Sequence, residues 1–445
     1  MDEQTGQLTG EQIVELSKRY TMYDWTAQSV ANPIPVARAE GVYFWDVDGK
    51  RYLDLNSQLM SVNIGHGNRK VIEAIRRQAE RLPYVSPLFA YEERAILGRK
   101  LATLWPGDIE KSFFSLGGAE ANENAMKIAK LVQGPSRFKM IARYRSYHGA
   151  TTGAMTLTGD PRRWPNEPGM PGIVHVLDPY HGPQRPEDDA EAALAYLEET
   201  IELEGPDTIA AFFLETVTGT NGILIPPDGY LQGVRELCSR FGILMVADEV
   251  MCAWGRTGAW FAVNHWDVVP DLITTAKGLT SSYAPLGALG MRPEVAAHFD
   301  DEVFWTGLTY NTHPLGVAAA IAAIEVMEEE DLVARAKAMD PVLRRHHEEL
   351  ASRHASVGRH RNLGLFGIIE LVRDRETGEP MSPFNASNAT MARINRFLLD
   401  NGVSTFLRWH SIMTNPPLTI SEEELSEGFE VLDKALEIAD QAMKG

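Results

Sequence analysis

Five short apolar runs, each ending in a residue unsuited to a core, constrain this chain more than any other feature. Ser112-Phe113-Phe114-Ser115-Leu116 leads into Gly117-Gly118, and Met140-Ile141-Ala142 leads towards Tyr147-His148-Gly149. Ile209 to Leu214 ends at Glu215, Ile243 to Ala247 ends at Asp248-Glu249, and Leu272 to Ala276 ends at Lys277. Near-continuous apolar runs fit strands buried on both faces. Helix-like segments separate them, which is the signature of a mostly parallel sheet covered by helices. In open α/β sheets, ligands bind beyond the carboxyl ends of the strands. Glycines, an aromatic, two acids and a lysine are therefore expected at one rim.

The flanks differ in character. Gly41 to Trp45 and Arg51 to Leu55 are β-type runs with Asp48-Gly49 between them, a hairpin signal. The first ten residues are expected to be loosely held. Beyond about residue 325 come charged helical segments, one strand over 364–372, a turn at Thr377 to Pro380, and a closing amphipathic helix from Glu422 to Met443. The predicted organisation is an N-terminal segment 1–65 contributing to a small domain, a large domain 66–330, and a C-terminal α+β small domain 331–445.

Composition excludes several partners. The 445 residues carry a formal charge of -19, which repels phosphate backbones and anionic lipid, so neither nucleic acid nor membrane is expected as a partner. Two cysteines give no disulfide framework. The chain start has neither the basic residues nor the apolar core of a signal peptide, and the longest apolar stretch is too short to span a bilayer. A cytoplasmic protein is expected. His346-His347-Glu348-Glu349 reads as a solvated helix face, and no zinc-ligand spacing occurs, so no metal site is expected.

Lys277 follows a buried run and precedes Gly278. Desolvation there lowers the lysine pKa and makes the neutral amine available to form an imine with an aldehyde. For a lone lysine the commoner outcome is a buried ion pair with Asp248 or Glu249; its company points to chemistry. If the strand continues, Asp248 and Val250 share a face, so a carboxylate can meet the edge nitrogen of a flat heteroaromatic ring while the valine packs on the ring. Glu249 faces the other way and has a structural role. Glu215 either positions a polar group of the ligand or is a satisfied structural acid. Gly117-Gly118-Ala119-Glu120 opens a helix-like segment from Glu120 to Leu131, which makes a cradle of backbone N–H groups for phosphate. The turn is neither a dinucleotide fingerprint nor a P-loop. Tyr147 is placed to stack on a ring.

These residues resemble a known family. Met245 to Val250, then Gly255-Arg256-Thr257-Gly258, Pro270-Asp271 and Thr275-Ala276-Lys277-Gly278 are similar to the signature of the class III pyridoxal-phosphate (PLP) dependent aminotransferases, with the family's 29-residue step from Asp248 to Lys277. The resemblance covers essentially the whole chain and implies the fold-type I arrangement. Asn63 to Gly67, Ser115 to Ala121 and Tyr147-His148-Gly149 match further motifs, with Ala119 where a serine is common. The resemblance implies that Lys277 holds PLP as a Schiff base and carries the proton transfer. Asp248 would bind the pyridine nitrogen, Val250 and Tyr147 the ring faces, and Gly118 and Ala119 the phosphate, with Glu215 beside the cofactor. Thr309 would reach the phosphate of a neighbouring subunit, which implies a homodimer or dimer of dimers with shared sites.

Tyr23 to Gln28, Ser57 to Met60 and Thr405 to Trp409 look most like the branch of taurine and other ω-amino-acid aminotransferases. The resemblance thus implies an amine donor and a keto-acid acceptor such as pyruvate or 2-oxoglutarate. Arg408 is the candidate to hold a sulfonate or carboxylate in two-point fashion, with Met60 and Trp25 as pocket candidates. Met60 stands where many of these enzymes have tryptophan. A 2,1-aminomutase on the same scaffold and a non-catalytic binding protein are the competing readings.

Overall fold

The computed structural model describes residues 8–179 and 189–443. At its centre lies a seven-stranded sheet. Its spatial order is Lys111–Ser115, Gly287–Met291, Leu272–Thr275, Leu244–Asp248, Ile209–Glu215, Lys139–Arg143 and Ile173–Val176. Every strand runs parallel to the rest except Gly287–Met291, which is antiparallel to both neighbours. All five apolar runs are strands of this one sheet.

The runs are apolar on both faces because helices cover both faces. Ala211, Phe213 and Val246 pack with Ala125, Ile128 and Ala129 of the Gly118–Gln133 helix. Their neighbours Phe212, Leu214 and Met245 point the other way, onto Leu231, Val234 and Leu237 of the Tyr230–Phe241 helix. Alternation along a strand sends adjacent side chains into two different cores. Each fully buried Leu or Phe contributes roughly 1.5–3 kcal/mol.

Among the described residues, two smaller sheets accompany the central one. The expected hairpin is present as Tyr43–Asp46 paired with Arg51–Asp54. Val36–Glu40 extends it on one side and Val403–Ser404, from far along the chain, on the other. Val357–Leu363, Phe366–Asp374, Ser411–Thr414 and Leu407–Arg408 form the third, antiparallel sheet. The closing helix spans Glu422–Ala442, started by a capping box in which Ser421 accepts from the Glu424 N–H.

Four expectations need correction or qualification. The expected strand at 364–372 begins at Phe366, runs on to Asp374, and pairs with Glu379–Pro380 across the predicted turn. His347 is fully buried, its Nε2 3.0 Å from the Thr414 hydroxyl, so the 346–349 segment is not wholly a solvated face. Val250 lies past the strand, which ends at Asp248. The expectation for the first ten residues falls mostly on residues 1–7, outside the described ones, and a helix begins at Gly10. Both cysteines are buried and free. Among the described residues, no helix is long and apolar enough to cross a membrane.

Candidate active site

The carboxyl ends of the strands open into a cavity of about 870 Å³. Gly118, Ala119, Tyr147, Glu215, Asp248, Val250 and Lys277 all line it, as do Trp25, Met60 and Arg408 from outside the central sheet. Of the residues predicted for the site, only Thr309 lies elsewhere. It is exposed, and its carbonyl accepts from the Tyr84 hydroxyl at 2.9 Å.

Lys277 sits two residues past its strand, which ends at Thr275, with φ +45, a left-handed conformation that costs a non-glycine residue on the order of 1 kcal/mol. Its ammonium makes no hydrogen bond or ion pair among the described residues. The buried pair with Asp248 or Glu249 is therefore absent. Burial lowers the Lys277 pKa to about 8, with the Asp248 and Glu215 charges opposing the shift. Glu249 instead accepts from the Thr216 hydroxyl and the Ala262 and Val263 N–H groups, the structural role expected of it.

Asp248 is held by a network that its own strand does not supply. Its Oδ2 accepts from Asn122 Nδ2 at 2.7 Å and lies 2.8 Å from His148 Nδ1. Its Oδ1 accepts from the Val250 N–H at 3.0 Å. Asn122 is oriented in turn by the Thr274 hydroxyl at 2.7 Å and by its own bond to the His148 carbonyl. Sequence reasoning missed Asn122 and gave His148 no role. Asn122 sits one turn into the helix that follows Gly117-Gly118, so its helical spacing was the available signal.

Glu215 does not present a free carboxylate. Its oxygens accept the N–H of Tyr147 at 2.9 Å and of Gly219 at 2.7 Å, and burial raises its pKa. It fixes the loop that carries Tyr147. Two glycines permit the close packing around this loop. A Cβ on Gly118 would stand 2.7 Å from Val250 Cγ1, and one on Gly149, at φ +144, would stand 2.5 Å from Ala119 Cβ. Gly117, the residue capping the Gly118–Gln133 helix, has no side chain to bond the first-turn N–H groups, which stay available to an anion.

These features fit PLP. The available N–H groups suit its phosphate, the unpartnered Lys277 amine its aldehyde, and a carboxylate fixed from three sides its ring nitrogen. Fold and site together define a PLP-dependent enzyme of fold type I. The chain belongs to the class III aminotransferases, whose family model, "Aminotransferase class-III", matches residues 25–436.

It is 32% identical to the putrescine–pyruvate aminotransferase of Pseudomonas aeruginosa, with 90% of each chain covered. It is also 32% identical to the taurine–pyruvate aminotransferase of Bilophila wadsworthia, over 97% of this chain and 98% of that one. Among solved structures, the taurine:2-oxoglutarate aminotransferase from Bifidobacterium kashiwanohense, in complex with PLP and glutamate, superposes with a TM-score of 0.94. It shares 40% identity, with 98% of this chain and 99% of that chain covered. The chain is thus an aminotransferase that uses PLP, and these relatives give the aminomutase reading no support.

Proposed function

We propose that the chain transfers the amino group of a short ω-amino acid, aminosulfonate or amine to pyruvate or 2-oxoglutarate. One observation carries this reading: an unpartnered amine, Lys277, shares a cavity with the fixed Asp248 carboxylate and a guanidinium, Arg408. The named activities of the relatives support the same donors and acceptors.

Bound PLP supplies a ring that accepts electrons from the carbon bearing the amine. Each protein group then has a definite task. Lys277 Nζ links to the cofactor and moves a proton at the substrate carbon. Asp248 keeps a proton on the ring nitrogen, and Asn122 and His148 keep its carboxylate aimed. Val250 and Tyr147 hold the ring faces, and the Gly118 and Ala119 N–H groups hold phosphate. Glu215 fixes Tyr147. Arg408 holds the anionic end of the substrate, while Met60 and Trp25 bound the space beside it.

Thr309 serves the site of a neighbouring subunit in a homodimer. Leu88 at 92% exposure and Trp305 at 72% support that reading, because segments 84–89 and 303–310 join through the Tyr84–Thr309 bond and leave an apolar patch bare. The division into segments 1–65, 66–330 and 331–445 is proposed on the same footing. It is supported by Val403–Ser404 completing the N-terminal sheet.

The test is the visible absorption of the loaded enzyme. Taurine, β-alanine, 4-aminobutyrate and a simple amine are added singly, followed by pyruvate or 2-oxoglutarate. The cofactor band should disappear with a donor and return with a keto acid. A band that no donor moves contradicts the proposal.

A further inference from the structure

A second cavity, of about 420 Å³, adjoins the first. Trp409 lines both, and its chain neighbours divide between them, Arg408 at the first and His410 at the second. No residue assigned above to PLP or to the reaction lines the second cavity. Three arginines do, from three separate segments. Arg145 follows the Lys139–Arg143 strand, Arg359 lies in Val357–Leu363, and Arg375 stands in the turn between Phe366–Asp374 and Glu379–Pro380.

Two carboxylates share this wall. Glu370 is taken up by Arg361, through bonds of 2.7 and 3.2 Å. Burial pushes the Glu370 carboxyl up, but the Arg361 charge and bonds outweigh this and hold it at about 2. Glu376 is exposed. Arg375 forms no ion pair among the described residues. Its Nη2 donates to the Ala351 and Val357 carbonyls at 2.7 and 2.8 Å, which fix the guanidinium without cancelling its charge. Its Nε and Nη1 make no hydrogen bond among the described residues. The rest of the wall is apolar, with Val372, Pro380, Phe384 and Trp409. Trp409 is braced, since the Phe384 ring lies 4.6 Å from it and the Arg408 guanidinium 4.3 Å from its ring centroid. A body resting there meets a surface with little entropy left to lose.

We propose that this second cavity is a binding site for a small phosphate monoester, with the phosphate on Arg375, Arg145 and Arg359 and the organic body against Trp409 and Phe384. The site is separate from the reaction proposed above and does not rest on it. A phosphate monoester carries a charge of roughly -1.5 to -2 at neutral pH and three acceptor oxygens. Arginines that approach from three segments suit that compact group, whereas a carboxylate offers two oxygens in one plane. A cavity of this volume has room for a body beyond the phosphate, and its apolar wall gives that body a surface to cover.

The test is calorimetric titration of the PLP-loaded enzyme with phenyl phosphate, inorganic phosphate and benzoate at constant ionic strength. Aminooxyacetate is added first, because its oxyamine condenses with the cofactor aldehyde and fills the first cavity. Phenyl phosphate should bind once per chain, more tightly than either inorganic phosphate or benzoate. Arg375→Gln should weaken it by at least about tenfold, as expected for a lost charge-assisted bond, and leave the cofactor band unchanged. Should Arg375→Gln not fold, Arg359→Gln carries the test with the same expected loss. No binding of phenyl phosphate to the wild type overturns the inference, as does undiminished binding in the variant that folds. Equal affinity for phenyl phosphate and inorganic phosphate, or for phenyl phosphate and benzoate, overturns the assignment to a monoester. The reaction proposed above fails separately, if no donor moves the cofactor band.

Discussion

Replacing Lys277 by methionine should make the cofactor-free chain more stable, and only below a definite pH. The Lys277 pKa falls from 10.5 to about 8 on folding, chiefly through burial. A fall of that size corresponds to about 3 kcal/mol against the ammonium form. The folded chain thus binds fewer protons than the unfolded chain between about pH 8 and pH 10.5, so wild-type stability rises with pH across that window. Below pH 8 both states carry the proton and the full cost remains. Methionine has no charge to desolvate. The stability gap favouring Lys277→Met should be largest below about pH 8, reach at most about 3 kcal/mol, and close by about pH 10.5. Only the pH-dependent part of the gap is diagnostic, since altered packing contributes equally at every pH. Thermal or denaturant midpoints of both proteins, measured without PLP across pH 6.5 to 10.5, provide the assay. A gap that does not change with pH would refute the desolvated amine.

Other substitutions test the rest of the site. Asp248→Asn removes the charge that holds the ring-nitrogen proton and should slow the donor half-reaction by at least about 100-fold in single-turnover kinetics; wild-type rates would remove Asp248 from that role. Asn122→Ala leaves the Thr274 hydroxyl and one Asp248 bond unmet, so denaturation should show a loss of about 1–3 kcal/mol together with slower turnover. Gly149→Ala places a Cβ against Ala119 at an unfavourable φ, and dialysis should strip PLP faster than from wild type while the melting temperature falls.

Much of the large sheet was legible because its strands are buried on both faces and end in polar residues that no core explains. Glu215, Asp248 and Lys277 mark three strand ends on their own. The antiparallel strand Gly287–Met291 was not legible: it is short and rich in small residues, and its place is fixed by neighbours on both sides. Val250 was expected to continue its strand, but the backbone turns after Asp248, and the valine reaches Gly118 from a loop. His347 looked solvated because its helix is charged, although the side chain meets Thr414 from a strand 67 residues away. Separation in sequence likewise hid Asn122 beside Asp248, 126 residues further on. Such pairings depend on tertiary contacts and leave no local pattern.

The central claim is that Lys277 carries the cofactor. Borohydride reduction of the PLP-loaded enzyme fixes the cofactor to its amine, and peptide mapping by mass spectrometry then locates it. The pyridoxyl mass should appear on the peptide containing Lys277 and on no other. Its appearance on a different lysine, or on none in protein that retains bound PLP, would contradict the account.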